Sequence, residues 1–95
     1  MDWIPEALQR YDRQTVYIDI SLHALKHKNL TPADIDMAEE TIRRGRPVPE
    51  KSDEKRQNVC FRLYYGKENA TYTVIAGLHP NFIRIVTIIK EEGRI

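Results

Sequence analysis

Ninety-five residues, 41% hydrophobic and 31% charged, describe one globular domain with a single modest core, and exclude a fibrous or low-complexity chain. A net charge of +1, from 15 Lys and Arg against 14 Asp and Glu, argues against a protein held on nucleic acid by bulk electrostatics, although unevenly placed signs leave room for a local basic surface. No stretch approaches the roughly 18 apolar residues of a membrane span, and Met1 to Glu6 lacks the basic and apolar regions of a signal peptide, so the expectation is a cytoplasmic protein.

Pro5 suits a first helical turn, which predicts a short helix from Pro5 to about Tyr11 with Trp3 and Leu8 available to pack. Thr15 to Ile20 alternates, with Val16, Ile18 and Ile20 on one side of a half-buried strand. Ser21 then caps a brief helix from Leu22 to about Lys28. Thr31-Pro32 is an N-cap followed by proline at the first helical position; Ile35, Ala38 and Ile42 form a stripe at helical spacing. Acids at its start, Arg43 and Arg44 in its last turn and Gly45 after it agree with the helix dipole and a glycine stop. Arg46 to Gln57, with two prolines and seven charged residues, reads as an exposed, mobile loop.

Three period-two runs follow, Asn58 to Tyr65, Ala70 to Ala76 and Phe82 to Ile89, separated by short turns. They predict an antiparallel meander. Cys60 falls in its first strand, where a small buried hydrophobe is the simple reading and a catalytic thiol the alternative; as a lone cysteine it excludes an intrachain disulfide and a multi-cysteine zinc site. A turn over Gly66 to Asn69 sets Tyr65 opposite Ala70, Leu63 opposite Tyr72 and Phe61 opposite Val74. A turn over Leu78 to Asn81 sets Ala76 opposite Ile83 and Val74 opposite Ile85. One face then carries Val59, Phe61, Leu63, Tyr72, Val74, Ile83, Ile85 and Ile89, a core awaiting helices. The other carries Cys60, Arg62, Tyr64, Thr71, Thr73, Ile75, Arg84, Val86 and Ile88. The expected architecture is α+β: short helices on one face of a mostly antiparallel sheet of about four strands, in one domain over residues 1–95.

The Ser21-Leu22-His23-Ala24 step from strand to helix resembles the Ser-x-His-Ala entry of the family called domain of unknown function 4258. The Leu-Thr-x-x-Asp-Ile start at Leu30 to Ile35, the Arg-Gly-Arg-Pro-Val exit at Arg44 to Val48 and the closing run Ile83 to Ile88 are also similar, so the resemblance covers roughly Tyr17 to Lys90. The chain departs from that pattern at His23 to Leu30, about one turn shorter and with Lys26, His27 and Lys28 where the family usually carries an Arg-Met pair and a second arginine. The family is similar in outline to the small ribonuclease-toxin folds of the RelE and BrnT kind. What the resemblance implies is metal-independent RNA cleavage and a cognate antitoxin as partner.

Such cleavage needs a group for the 2′-hydroxyl proton, a cation for the phosphorane-like transition state and a proton donor for the leaving oxygen. The expected assignment is His23 as acid–base group, Arg62 and Arg84 on the scissile phosphate, and Tyr64 as proton donor or stacking platform. Arg43, Arg44 and Arg46 form the densest basic cluster, a candidate contact for RNA phosphates or an acidic partner. His27, four residues from His23, would complete only a two-histidine metal clip with no third ligand in view, so no metal or cofactor is expected. There is no glycine-rich phosphate loop and no nucleophile elbow. The rival reading is a non-catalytic interaction module or homodimer that pairs through its sheet edge or its open face, which the apolar Ile75, Val86 and Ile88 would favour.

Overall fold

In the computed structural model, which describes residues 2–26 and 30–95, the Thr31-Pro32 signal starts a helix by reciprocal capping. The Thr31 hydroxyl accepts from the Asp34 N–H at 3.1 Å, and the Asp34 carboxylate accepts from the Thr31 N–H at 3.1 Å. Two donors that a helix start leaves unpaired are thereby satisfied. The helix, α3 here, runs from Pro32 to Arg44 and stops at Gly45 with φ −72°, not in the left-handed region. Glycine is required there for space: a Cβ would stand 2.3 Å from the Thr41 carbonyl oxygen and 2.8 Å from that of Arg62. Arg13 closes the helix end from a distant segment, donating to the carbonyls of Ile42, Arg43 and Gly45 at 2.9, 3.2 and 2.7 Å.

The first helix and the first strand are shorter than expected. Helix α1 spans Ile4–Leu8, strand β1 Tyr17–Ile20 and helix α2 Leu22–Lys26. The expected continuation of α2 past Lys26, His27 included, lies outside the described residues.

The segment Arg46 to Gln57 is largely exposed, as expected of a loop, but it is not without regular structure. Arg46–Pro47 is a two-residue strand, β2, and Pro49–Lys51 is a single 3₁₀ turn. Val48 between them is buried and its N–H donates to the Cys60 carbonyl at 2.8 Å. Ser52 fastens the turn by accepting from the Cys60 N–H at 2.9 Å and donating to the Val48 carbonyl at 2.9 Å. Proline and a length of two residues hide such a strand from any search for alternation.

Strands β3 (Asn58–Tyr65), β4 (Ala70–Leu78) and β5 (Phe82–Glu92) form the meander. Among the described residues the sheet has five strands rather than four, in the order β1-β5-β4-β3-β2; it is mostly antiparallel as expected, with β1 parallel to β5 making it mixed. The first hairpin has the expected register, with Tyr65, Leu63 and Phe61 opposite Ala70, Tyr72 and Val74. The second does not. Leu78 continues β4 and lies opposite Ile83, Ala76 opposite Ile85 and Val74 opposite Ile88. Ile75 faces Thr87 while Ala76 faces Ile85, which leaves Val86 as the extra residue of a β-bulge. Beyond the bulge every side chain changes face. Ile88 enters the core at 5% exposure and Ile89 emerges at 38%, the reverse of the expected assignment.

All three helices cover one face. Ile4, Ala24, Ala38 and Ile42 pack with Ile18, Phe61, Val74, Ile83, Ile85 and Ile88 in one continuous core. At one end of it a polar network, buried at Asp34 and Tyr72 and exposed at Glu68 and Lys90, ties α3 to the meander. The Tyr72 hydroxyl lies 2.7 Å from Glu68 and 3.1 Å from Asp34, and the Lys90 ammonium 3.2 Å from Asp34. Burial raises the Asp34 pKa, but the Thr31 N–H, Lys90 and Tyr72 outweigh it and leave the carboxyl below the usual range. Burial and the two carboxylates push the Tyr72 phenol up, so it remains a donor. Among the described residues no helix is long and apolar enough to cross a membrane.

Candidate functional site

Cross-strand pairing defines the face that the helices leave open. Its rows are Arg46, Arg62, Thr73 and Ile89; Cys60, Ile75 and Thr87; Tyr64, Thr71 and Glu91; and Gly77, Arg84 and Asp19. Arg62 and Arg84 therefore share a face on the strands that flank β4. They do not share a site, because their rows are four residues apart along β4, about 13 Å at the rise of a strand. Arg84 is also engaged: its Nε and Nη2 donate to Asp19 Oδ2 at 3.1 and 2.8 Å. That hydrogen bond, with the Ile20 N–H, holds the Asp19 carboxyl below its ordinary pKa.

Tyr64 lies toward the other end of the face. Its hydroxyl donates to Asn69 Oδ1 at 2.8 Å, and the Arg94 guanidinium carbon sits 4.3 Å from its ring centroid. Arg94 is held in place by its neighbours: Thr71 Oγ1 donates to the Gly93 carbonyl at 2.7 Å and accepts from the Ile95 N–H at 3.3 Å. His23 belongs to the helical layer, an exposed residue beside the core residue Ala24 on α2. The four residues expected to act together are thus distributed over two layers and both ends of one face.

The basic cluster fans apart as well. Arg43 donates to the carbonyls of Arg13 and Val16 at 2.9 and 3.2 Å, tying α3 to the approach to β1. Arg44 pairs with Glu40 one turn back at 2.6 Å. Arg46 alone of the three sits on the open face, directly across from Arg62.

A hollow of about 370 Å³ opens on this face. Cys60, Thr73 and Ile75 lie in it, with Lys51 and Arg62 on one side of β4 and Ile89 and Glu91 on the other. Arg62 Nε donates to Thr73 Oγ1 at 3.2 Å, which lays the guanidinium along the face. Among the described residues, no carboxylate lies within ion-pair distance of Arg46, Lys51 or Arg62. Burial pushes the Cys60 thiol up, against a smaller pull from Arg62 and Lys51, so the sulfur stays protonated at neutral pH and is a packing group.

Lys51 and Glu91 are the site residues that sequence reasoning missed. Lys51 stands in a segment taken for a mobile loop, and Glu91 beyond the expected end of the last strand. The usable signal for Glu91 was the polar extension Lys90-Glu91-Glu92, long enough to pair with the start of β4. No family model, no curated protein and no solved structure matches the chain.

Proposed function

We propose that this protein binds single-stranded RNA on the open face of its sheet, with a backbone phosphate in the hollow between Lys51 and Arg62 and Arg46 beside it. The observation that supports this is that Lys51 and Arg62 line one hollow with Arg46 across the ladder from Arg62, none of the three ion-paired with a carboxylate among the described residues. A guanidinium laid along a strand presents its fork to phosphate oxygens. A broad sheet face suits an extended strand with splayed bases better than it suits a duplex groove. The resemblance to domain of unknown function 4258 points to the same ligand.

Fluorescence anisotropy with a short labelled single-stranded RNA tests the reading. Arg62→Ala is expected to weaken binding about tenfold or more, the value of a charge-assisted hydrogen bond of about 1.5–3 kcal/mol. Each phosphate neutralised contributes about −0.7 to the log–log salt slope on a single strand, so the one seated in the hollow gives about −0.7. Binding that ignores both salt and Arg62→Ala sinks the proposal.

Cleavage is the second reading, favoured by Glu91. Its carboxylate lines the same hollow as Arg62, so a base for the 2′-hydroxyl would stand near a cation for the phosphorane. In this reading Glu91→Gln leaves RNA affinity intact and abolishes strand scission and growth arrest on induction, while His23→Ala changes neither. The opposite pattern assigns the chemistry to the helical layer instead.

A further inference from the structure

We infer that a second copy of this chain pairs with the free edge of β1, antiparallel and about a two-fold axis through Ile18. The argument starts from which peptide groups face outward. The Ser21 N–H donates to the Ile85 carbonyl at 2.9 Å, and in a parallel ladder alternate residues of a strand carry the bonds to one neighbour. Tyr17, Asp19 and Ser21 therefore bond to β5, while Val16, Ile18 and Ile20 direct their peptide groups away from it.

Half of those outward groups have partners within the chain. The Val16 N–H donates to Asp12 at 2.8 Å and the Val16 carbonyl accepts from Arg43 at 3.2 Å. The Ile20 N–H donates to Asp19 Oδ1 at 2.7 Å. A long foreign strand laid along this edge would find the Val16 N–H and carbonyl and the Ile20 N–H already engaged. Self-pairing asks only for the Ile18 N–H and carbonyl, each given to the same groups of the other copy. The short edge is thus matched to itself, which is what an isologous contact requires.

Charge fixes the register. Side chains on one face must oppose each other, so the axis passes through Ile18 or through Asp19. An axis at Asp19 would set two carboxylates side by side. An axis at Ile18 sets Asp19 opposite the Tyr17 of the other copy, a side chain that is 68% exposed. It also pairs Val16 with Ile20 on the helical side. Leu22 and Leu25, 71% and 45% exposed just beyond the end of β1, add apolar surface next to the pairing. The opposite edge of the sheet is guarded in the usual manner, β2 being two residues long with an arginine and a proline. A pairing built on a four-residue strand is expected to bury less than the roughly 800 Å² per partner of a standard interface, so the dimer should dissociate on dilution.

Sedimentation equilibrium across a concentration series tests this, with amide exchange as a second readout. The wild type is expected to show a reversible dimer whose Ile18 amide exchanges more slowly as concentration rises. Tyr17→Glu, which faces Asp19 of the other copy twice across the axis, should weaken association about fivefold, and Tyr17→Lys should strengthen it. Tyr17 is a surface residue, so the diluted variants should melt like the wild type. A monomer at every concentration overturns the inference, as does a dimer indifferent to both Tyr17 variants.

Discussion

Asp34 shows how much a single side chain can do beyond its sequence label. As an acid in the first helical turn it was expected to complement the helix dipole; in the fold it also closes the capping box and receives Tyr72 and Lys90 from β4 and β5. Its pKa is depressed in the folded state, so its contribution is present above the unfolded value near 3.9 and is lost as pH falls through that value toward the folded one. Asp34→Asn should cost about 1–3 kcal/mol at pH 7 and flatten the acid limb of the stability curve below about pH 4, measured by urea unfolding at several pH values. Gly45 carries the complementary lesson. Glycine at the helix stop was readable, but only half of its reason: the close Thr41 carbonyl belongs to the helix end itself, whereas the approach of the Arg62 carbonyl is a tertiary fact that no local rule contains.

At the level of elements, β3 and β4 were legible because a four-residue turn fixes their register and both strands alternate without interruption. β5 was legible as a strand and misleading as a pattern. Its Ile85-Val86-Thr87 step carries a bulge without glycine or any other residue that announces one, so counting by twos assigned Ile88 and Ile89 to the wrong sides. The paired substitutions separate the two counts. Ile88→Ala should destabilise by about 2–5 kcal/mol and Ile89→Ala by less than about 0.5 kcal/mol, read as shifts in the denaturation midpoint. β2 was illegible because two residues, one of them proline, carry no periodicity at all. Lys51 was missed with it, since only the strand and its 3₁₀ turn bring that ammonium beside Arg62.

Over the whole molecule, the helices claim one side of the sheet and the cations of the proposed RNA surface the other. The separation of His23 from Arg62 follows from that division, and a sequence in which both stand near strands gives no sign of it. The same is true of Asp19 and Arg84, joined only because β1 returns parallel to the last strand. The proposed RNA surface and the proposed dimer edge are also far apart: β1 and β3 are separated by two strands, about 14 Å across the sheet. Tyr17→Glu should leave RNA affinity per chain unchanged, and Arg62→Ala should leave the sedimentation profile unchanged, within the additivity of distant sites. A titration in which either variant moves both quantities would mean that the two surfaces communicate.

The extra residue at Val86 acts as a parity counter for everything downstream. Excising it would leave Ile85, Thr87 and Ile88 paired with Ala76, Ile75 and Val74 in an unbroken ladder, every later side chain on its present face; absorbing it into the ladder instead would turn Lys90 outward, away from Asp34, and bury Ile89 where Ile88 had been. The fastening between α3 and the last strand therefore depends on how the chain is paired four residues before Lys90.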